Sequence, residues 1–516
     1  MTVVEEPTAA PRWVKVLDQT RCIGCHACTT ACKSENQVPV GVTRTYVKSV
    51  EVGTFPQVRR AFQVTRCNQC TDPPCVAACP TAAMHQRPDG IVDFDKRVCI
   101  GCKACIAACP YDAIFINPED HSAEKCNFCA HRLEVGLEPA CVTVCPTEAI
   151  MVGDLNDPTS KVARIAQREP VTVRRPEKET RPGLFYKGAH QATLDPLAAR
   201  RPTGDLFAWA TQGTGTTPRA LSQRVTSGHP GHANSSAATL LSYDVPHQAP
   251  WGWRVSLYTW TKGLAAGAYL VALMLALAGA VPWSSPLVRW VAPSVSLAML
   301  AATGILLVWD LKHPMRFWML FARPQWRSWL VRGGVIIAAY GAVLVGALAA
   351  GAAGSTGAQI GLATAGLPLA IATAAYTAFL FAQARARDLW QNPLLAPHLV
   401  IQAVMVGAAA LLIAATVNGN HGALADLRLA LATAAGAHLA MLIGETLPHH
   451  ATAHAELAVD EMTRGRFAVF FWAGVVLILA AVAAPWIGTA AVPLALLGLG
   501  LHEHAYVQAG QSVPLA

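Results

Sequence analysis

The chain has 516 residues, a formal net charge of +8 and 53% hydrophobic residues. That length exceeds one ordinary domain, and the averages hide two polymers. Residues 1–250 are mixed and polar and hold all 16 cysteines, whereas from Trp251 onward Ala, Leu, Gly and Val dominate and cysteine is absent. The basic residues gather into no stripe with interleaved aromatics, so nucleic acid is not expected as a partner.

The opening stretch, MTVVEEPTAAPRWVK, has no basic start, apolar core or twin arginine, and no export signal is expected from it. Sixteen cysteines in an unexported chain argue against a disulfide framework, because the cytosol keeps thiols reduced. Metal binding is the expected use of these thiols, although a cofactor-loaded partner with its own signal could carry the chain across.

The cysteines fall into four groups of four. The first is Cys22-x2-Cys25-x2-Cys28-x3-Cys32, within CIGCHACTTAC, and the third is Cys99-x2-Cys102-x2-Cys105-x3-Cys109, within CIGCKACIAAC. The second and fourth are variants: Cys67-x2-Cys70-x4-Cys75-x3-Cys79 and Cys126-x2-Cys129-x11-Cys141-x3-Cys145. CxxCxxCxxxC is the bacterial ferredoxin spacing for a [4Fe–4S] cube, whose fourth cysteine ligates the other cluster of a pair. Three thiolates in a tight turn grip three corners of one cube, while the fourth leaves on the following helix. Sixteen thiolates suffice for four [4Fe–4S] clusters. Zinc also takes CxxC pairs, but a zinc ribbon has no use for CxxCxxC with a trailing CxxxCP.

Over about residues 14–155 these motifs resemble the four-cluster iron–sulfur subunits of molybdopterin oxidoreductases, such as those of polysulfide reductase, formate dehydrogenase and dimethyl sulfoxide reductase. The resemblance implies ligands that cross between repeats. One cube takes Cys22, Cys25, Cys28 and Cys145, and another takes Cys126, Cys129, Cys141 and Cys32. The inner pair takes Cys67, Cys70, Cys75 with Cys109, and Cys99, Cys102, Cys105 with Cys79. Four clusters make a wire, which needs a donor at one end and an acceptor at the other.

Residues 156–250 show no sustained period of 2 or 3.6. They are expected to form an extended arm, anchored locally by Leu184-Phe185-Tyr186, Leu206-Phe207 and Trp209. From Trp253 eight segments reach the roughly 20 apolar residues that cross a bilayer: 255–281, 287–309, 329–352, 359–383, 394–417, 426–447, 466–486 and 488–508. Abundant Gly and Ala within them suits close helix packing in lipid.

Eight spans put both termini on one side. Arg254, Lys262, Lys312, Arg316, Arg323, Arg327, Arg332, Arg385, Arg387, Arg464 and Arg466 then share the side of the cluster domain, against Arg289 and Arg428 on the other. The positive-inside rule therefore predicts an inner-membrane protein with its clusters facing the cytoplasm. The eight spans, TWTKGLAAGAYL and the HPMRFW loop resemble the NrfD or polysulfide-reductase type of quinone-binding membrane subunit. The fold expected is an α+β ferredoxin-like, duplicated iron–sulfur domain (1–155), an arm (156–250) and an all-α membrane domain of about eight helices (251–516).

Ionisable groups inside a membrane are costly and are functional candidates by default. Tyr258, Lys262, Asp310, His313, Arg316, His398 and Glu445 collect at the cluster-side ends of spans and are the candidate quinone contacts, within reach of the terminal cube. Asp388 and His449 stand at the same level, while Tyr376 and His438 lie deeper, suited to a proton path or a helix contact. A haem would need a facing pair, and only His398 with His438 offers one, at depths that do not match.

The resemblance implies a subunit that passes electrons between a large molybdenum or tungsten bis-pterin subunit and menaquinone or ubiquinone. This chain has no substrate chemistry of its own, and it leaves room for a higher oligomer of the complex. Formate or a sulfur oxyanion suits a cytoplasmic partner. A nickel–iron hydrogenase could occupy the partner's place, an ion-translocating quinone module is a second alternative, and a redox sensor is a third.

Overall fold

The computed structural model describes residues 10–200, 239–419 and 421–515, in two compact units divided at Pro250 and Trp251. The anchors Leu206, Phe207 and Trp209 lie outside the described residues. In the first unit the elements are β1 (Trp13–Asp18), α1 (Ala27–Glu35), β2 (Thr45–Thr54), β3 (Gln57–Arg66), α2 (Pro74–Ala78), β4 (Met84–Gln86), β5 (Val92–Phe94), α3 (Ala104–Ala108), β6 (Ile114–Ile116), β7 (Ala123–Lys125), α4 (Ala130–Leu133), α5 (Ala140–Thr143), β8 (Ile150–Asp154), α6 (Lys161–Arg168), β9 (Val171–Thr172), β10 (Leu184–Lys187), α7 (Gln191–Leu194) and β11 (Leu240–Tyr243). This is a small α+β domain. Its sheets run β8-β1-β10-β9 and β11-β2-β3, with β4-β5 and β6-β7 as two short hairpins.

The alternation of a strand decides which side chains meet the cysteines. On β1, Val14 and Val16 pack with Met151, Val162 and Ile165, while Leu17 joins the core that holds Cys28 and Cys141. Lys15, on the Leu17 face, is 1% exposed. On β3 the same period puts Arg66 on the face of Phe62 and Val64, and the latter two pack in that cysteine-bearing core.

Residues 156–200 and 239–250, read from sequence as an extended arm, fold within this unit. β10 pairs parallel with β1 (Lys15↔Leu184) and β9 antiparallel with β10, so LFYK supplies a strand to the central sheet. β11 pairs antiparallel with β2 (Leu240↔Glu51). Short strands without a long period leave little signal in a single sequence, and non-local pairing decides their place.

The second unit is helical: α8 (Trp253–Leu277), α9 (Leu287–Asp310, its first turn wound as a π-helix), α10 (Met319–Ala322), α11 (Trp329–Ala352), α12 (Thr356–Ala382), α13 (Leu395–Val417), α14 (Leu424–Thr446), α15 (Ala453–Thr463), α16 (Ala468–Ala481), α17 (Ala484–Ile487) and α18 (Ala491–Gly510). Among the described residues seven helices are long and apolar enough to cross a membrane, with α17 and α18 counted as one stretch, Ala484–Gly510; an eighth is reached if α15 and α16, bent by 69°, form one span. The bend falls at Arg464-Gly465-Arg466, where Arg466 Nε donates to Glu461 Oε2 at 3.0 Å. The seventh segment read from sequence, 466–486, begins at this break, and the structure adds α15 before it. Helices α8 and α13 touch backbone to backbone: a Cβ on Gly267 would collide with the carbonyl of Ala403, and one on Gly407 with Gly267. In lipid such small-residue contacts replace the hydrophobic drive for association.

Candidate functional site

Each cysteine group is built on the same turn. In the first CxxC of each group the residue just before the second cysteine is left-handed: Gly24 (φ 69°), Gln69 (47°), Gly101 (68°) and Phe128 (65°). Glycine meets that demand without strain, and the two CIGC repeats use it. Three of the trailing cysteines are followed three residues on by another left-handed residue, Ala82, Asp112 or Glu148. These turns swing amides back onto sulfur: Met84 N donates to Cys79 Sγ at 3.3 Å and Ala149 N to Cys145 Sγ at 3.2 Å.

Three cavities each bring four cysteines together. One is lined by Cys22, Cys25, Cys28 and Cys145, one by Cys32, Cys126, Cys129 and Cys141, and one by Cys79, Cys99, Cys102 and Cys105. The remaining four, Cys67, Cys70, Cys75 and Cys109, are buried and interact electrostatically with one another. Each grouping takes three thiols from one repeat and a trailing thiol from another. Four convergent thiols in each set are the chemistry that suits an iron–sulfur cluster.

The cavity of Cys32, Cys126, Cys129 and Cys141 has cationic walls. Arg66 Nη1 donates to Cys141 Sγ at 3.1 Å and Lys15 Nζ to the same sulfur at 3.7 Å. Burial alone would raise the Cys141 thiol, but Arg66 and Lys15 hold it down to about 7, whereas burial pushes Cys28 up to about 11 and Cys32 up to about 12. Asn36 Nδ2 stands 3.7 Å from Cys32 Sγ and 3.8 Å from Cys129 Sγ. Its carbonyl accepts from Arg44 Nη1 at 2.7 Å, and Arg44 is fixed by a buried ion pair to Glu124, also 2.7 Å.

In the helical unit His398, Glu445 and His438 converge from α13 and α14. His398 Nδ1 lies 2.9 Å from Glu445 Oε1, and His398 Nε2 lies 2.7 Å from His438 Nδ1. A neutral His398 that donates from Nδ1 must accept at Nε2, so His438 donates from Nδ1 and keeps a lone pair at Nε2. That Nε2 is buried without a partner, as is Nδ1 of His502 from α18. One ring nitrogen from each of the three histidines lies within 4.8 Å of the others. Sequence reading puts His398 and His438 at different depths; the structure puts them in contact, with ring centroids 4.7 Å apart. A haem iron would hold its two axial nitrogens about 4 Å apart at about 2 Å each, which the 2.7 Å separation does not provide.

Lys262 is 1% exposed on α8 and donates to Ala374 O at 2.8 Å and Thr377 Oγ1 at 2.6 Å, with its charge 5.0 Å from the Tyr376 ring centre. It interacts electrostatically with Glu503, the buried neighbour of His502. Tyr258 is buried one turn earlier on α8. Asp310, His313 and Arg316 are half-buried at the end of α9 and in the turn after it, and the Glu445–His398–His438 chain runs through none of them. Sequence reading passes over His502 and Glu503 as interruptions of a weak span, although two ionisable residues inside an apolar segment are themselves the signal.

The chain matches two family models: a 4Fe-4S dicluster domain over residues 58–155 and the polysulphide reductase NrfD family over residues 242–494. Its N-terminal part is 45% identical over 193 residues to the B subunit of tetrathionate reductase from Salmonella typhimurium, covering 37% of this chain and 77% of that protein. It is 42% identical over 179 residues to the B component of polysulfide reductase from Wolinella succinogenes, covering 34% and 94%. With the arsenate respiratory reductase iron-sulfur subunit ArrB of a Shewanella species it shares 36% identity over 219 residues, covering 33% and 94%. Iron–sulfur clusters and a multi-pass membrane part follow from these matches and from the apolar helices. The chain therefore belongs to the family of iron–sulfur subunits of these reductases, joined in one polypeptide to an NrfD-type membrane domain.

Proposed function

We propose that this chain is the electron-transfer and membrane-anchor subunit of a quinone-linked oxidoreductase, connecting a molybdenum or tungsten bis-pterin subunit to membrane quinone through four [4Fe–4S] clusters. The observation that carries this reading is the crossed grouping of sixteen cysteines into four sets, together with a buried polar chain in the helical unit. The clusters supply one-electron transfer when bound. The cysteine sets hold them and exclude water, as the burial of most of these thiols indicates.

At the membrane end, quinol oxidation releases two electrons and two protons. His438 Nε2, buried with a free lone pair, is placed to accept one of the two protons, its Nδ1 proton passing to His398 Nε2 and the His398 Nδ1 proton to Glu445. Lys262 and Tyr258 stand on the helix that also carries the Lys262–Glu503 interaction, where they can hydrogen-bond a quinone carbonyl. Either menaquinone or ubiquinone fits this chemistry. The excess of flanking Arg and Lys on one side of the spans favours a cytoplasmic cluster domain.

The test is to purify the complex anaerobically through this chain in mild detergent and assay metals and subunits. About sixteen irons from four cubes, with molybdenum or tungsten in a large co-purifying chain, is the expected result. Nickel would move the partner to a hydrogenase, and neither metal would remove the catalytic partner from the reading. The histidine chain also favours a second reading, quinone-driven ion translocation, which Glu445→Gln separates below.

A further inference from the structure

The cysteine sets are alike in thiol number but not in charge. Around Cys32, Cys126, Cys129 and Cys141 stand two fully buried cations and an amide: Arg66 at 3.1 Å and Lys15 at 3.7 Å from Cys141 Sγ, and Asn36 within 3.8 Å of two further sulfurs. Arg66 is 2% exposed, and its Nε and Nη2 are buried without partners. An arginine left with two unmet donors beside a thiol cavity costs stability unless something bound in the cavity accepts them. The sulfides of a cluster would. The other sets are poorer in charge. Lys125 acts on Cys67, Cys70 and Cys75, but as a single cation whose ammonium is also held by the carbonyls of Val92 and Cys126. Lys103 stands by Cys102. In the set of Cys145 the Ala149 amide and the Thr147 hydroxyl face that sulfur, and Arg66 also acts on Cys28, after Cys141 and Cys126 among its thiol partners.

We propose that Arg66 and Lys15 make the site of Cys32, Cys126, Cys129 and Cys141 the electron sink of the wire, the one of the four at which an added electron is held most tightly. This rests on the four-cluster reading above. Reduction adds one electron and therefore one negative charge to the site, supplied by a neighbouring site or an added reductant; no bond forms or breaks and no proton moves. Charge and hydrogen bonds at the sulfurs set cluster potentials, and a buried cation is screened little by solvent or salt. Arg66 and Lys15 bear on the same sulfur from strands of different sheets, so their effects add there. The Asn36 amide is held on the sulfurs by Arg44 and Glu124, which keeps its dipole from turning away.

The experiment is a redox titration of the purified full-length complex followed by low-temperature electron paramagnetic resonance, with iron content measured alongside. In Arg66→Gln the highest of the four midpoint potentials falls by at least 59 mV, a tenfold change in the reduced-to-oxidised ratio for one electron. Arg66→Lys keeps most of the potential. An unchanged highest wave, or an equal shift of all four, overturns the proposal. If Arg66→Gln loses iron, Lys15→Gln, which removes the second cation from the same sulfur, decides on the same criterion. Fewer than about sixteen irons in the wild-type complex would instead remove the four-cluster reading, and the iron assay registers that independently of the titration.

Discussion

His398 and Glu445, 47 positions apart on neighbouring helices, share a buried contact of 2.9 Å, and the other face of the same imidazole meets His438 at 2.7 Å. A histidine held from both sides has one tautomer available at a time, and turning it over moves a proton across its ring. That property makes the chain a route rather than three isolated polar groups.

Glu445→Gln keeps the hydrogen bond to His398 and removes the charge. Electron transfer between quinol and the clusters is expected to fall at least tenfold, the upper range of one lost proton-transfer partner being larger, with iron content unchanged. Stopped-flow bleaching of the clusters by quinol measures it. If electron transfer survives while proton uptake in proteoliposomes is abolished, the carboxylate belongs to an ion path and not to the quinone reaction.

Cys79 sits at the end of α2 but lines the cavity of Cys99, Cys102 and Cys105. Cys79→Ser is therefore expected to perturb the same paramagnetic signal as Cys99→Ser and to leave that affected by Cys75→Ser intact. A loss of no more than about four irons, one cube, accompanies it. A signal shared with Cys75→Ser would mean that the ligands do not cross.

His247 lies between two carboxylates, 2.6 Å from Asp112 and 3.2 Å from Asp244. Burial alone would lower its pKa, but Asp244 and Asp112 push it up to about 9. A raised folded-state pKa contributes stability that is complete below the ordinary value of about 6.5 and is lost as pH rises through about 9. The segment carrying β11 is thus expected to loosen from β2 between those values. Hydrogen exchange at residues 239–243 should quicken over that window in the wild type, beyond its intrinsic pH dependence, and not in His247→Gln.

Gly267 and Gly407 let α8 and α13 approach to backbone contact. Gly267→Ala is expected to cost about 1–3 kcal/mol through overpacking, because the obstacle is the Ala403 carbonyl and not a side chain that can swing away. A lower thermal midpoint in detergent, with cluster signals retained, checks it; unchanged stability would mean the helices separate without cost.

The cluster motifs were legible because their information is local. A CxxC turn with a left-handed residue before its second cysteine needs no partner, and CIGC states it outright at Gly24 and Gly101. Apolar length is local too, so the helices from Trp253 to Thr446 fall close to the segments read from composition. The short helix α15 before the break at Arg464-Gly465-Arg466 escaped because Glu456, Asp460 and Glu461 interrupt its apolar length, so composition marks only the segment from Arg466. His502 escaped because its value depends on which helices surround it, and a span holding two histidines and a glutamate reads simply as weak.

By itself the sequence determined which residues are chemically equipped: sixteen thiols in ferredoxin turns, and ionisable groups within apolar spans. Only the tertiary structure decided which of them face one another. Strand period could say that Lys15 and Leu17 share a face, but pairing with β8 and β10 was needed to bring that face to Cys141. The same holds for Arg66 at the end of β3 and for His398 between α14 and α18. Turn geometry and burial preference are properties of a few neighbouring residues. A potential or a proton path is a property of charges brought within a few ångströms from distant parts of the chain, and folding alone sets that distance.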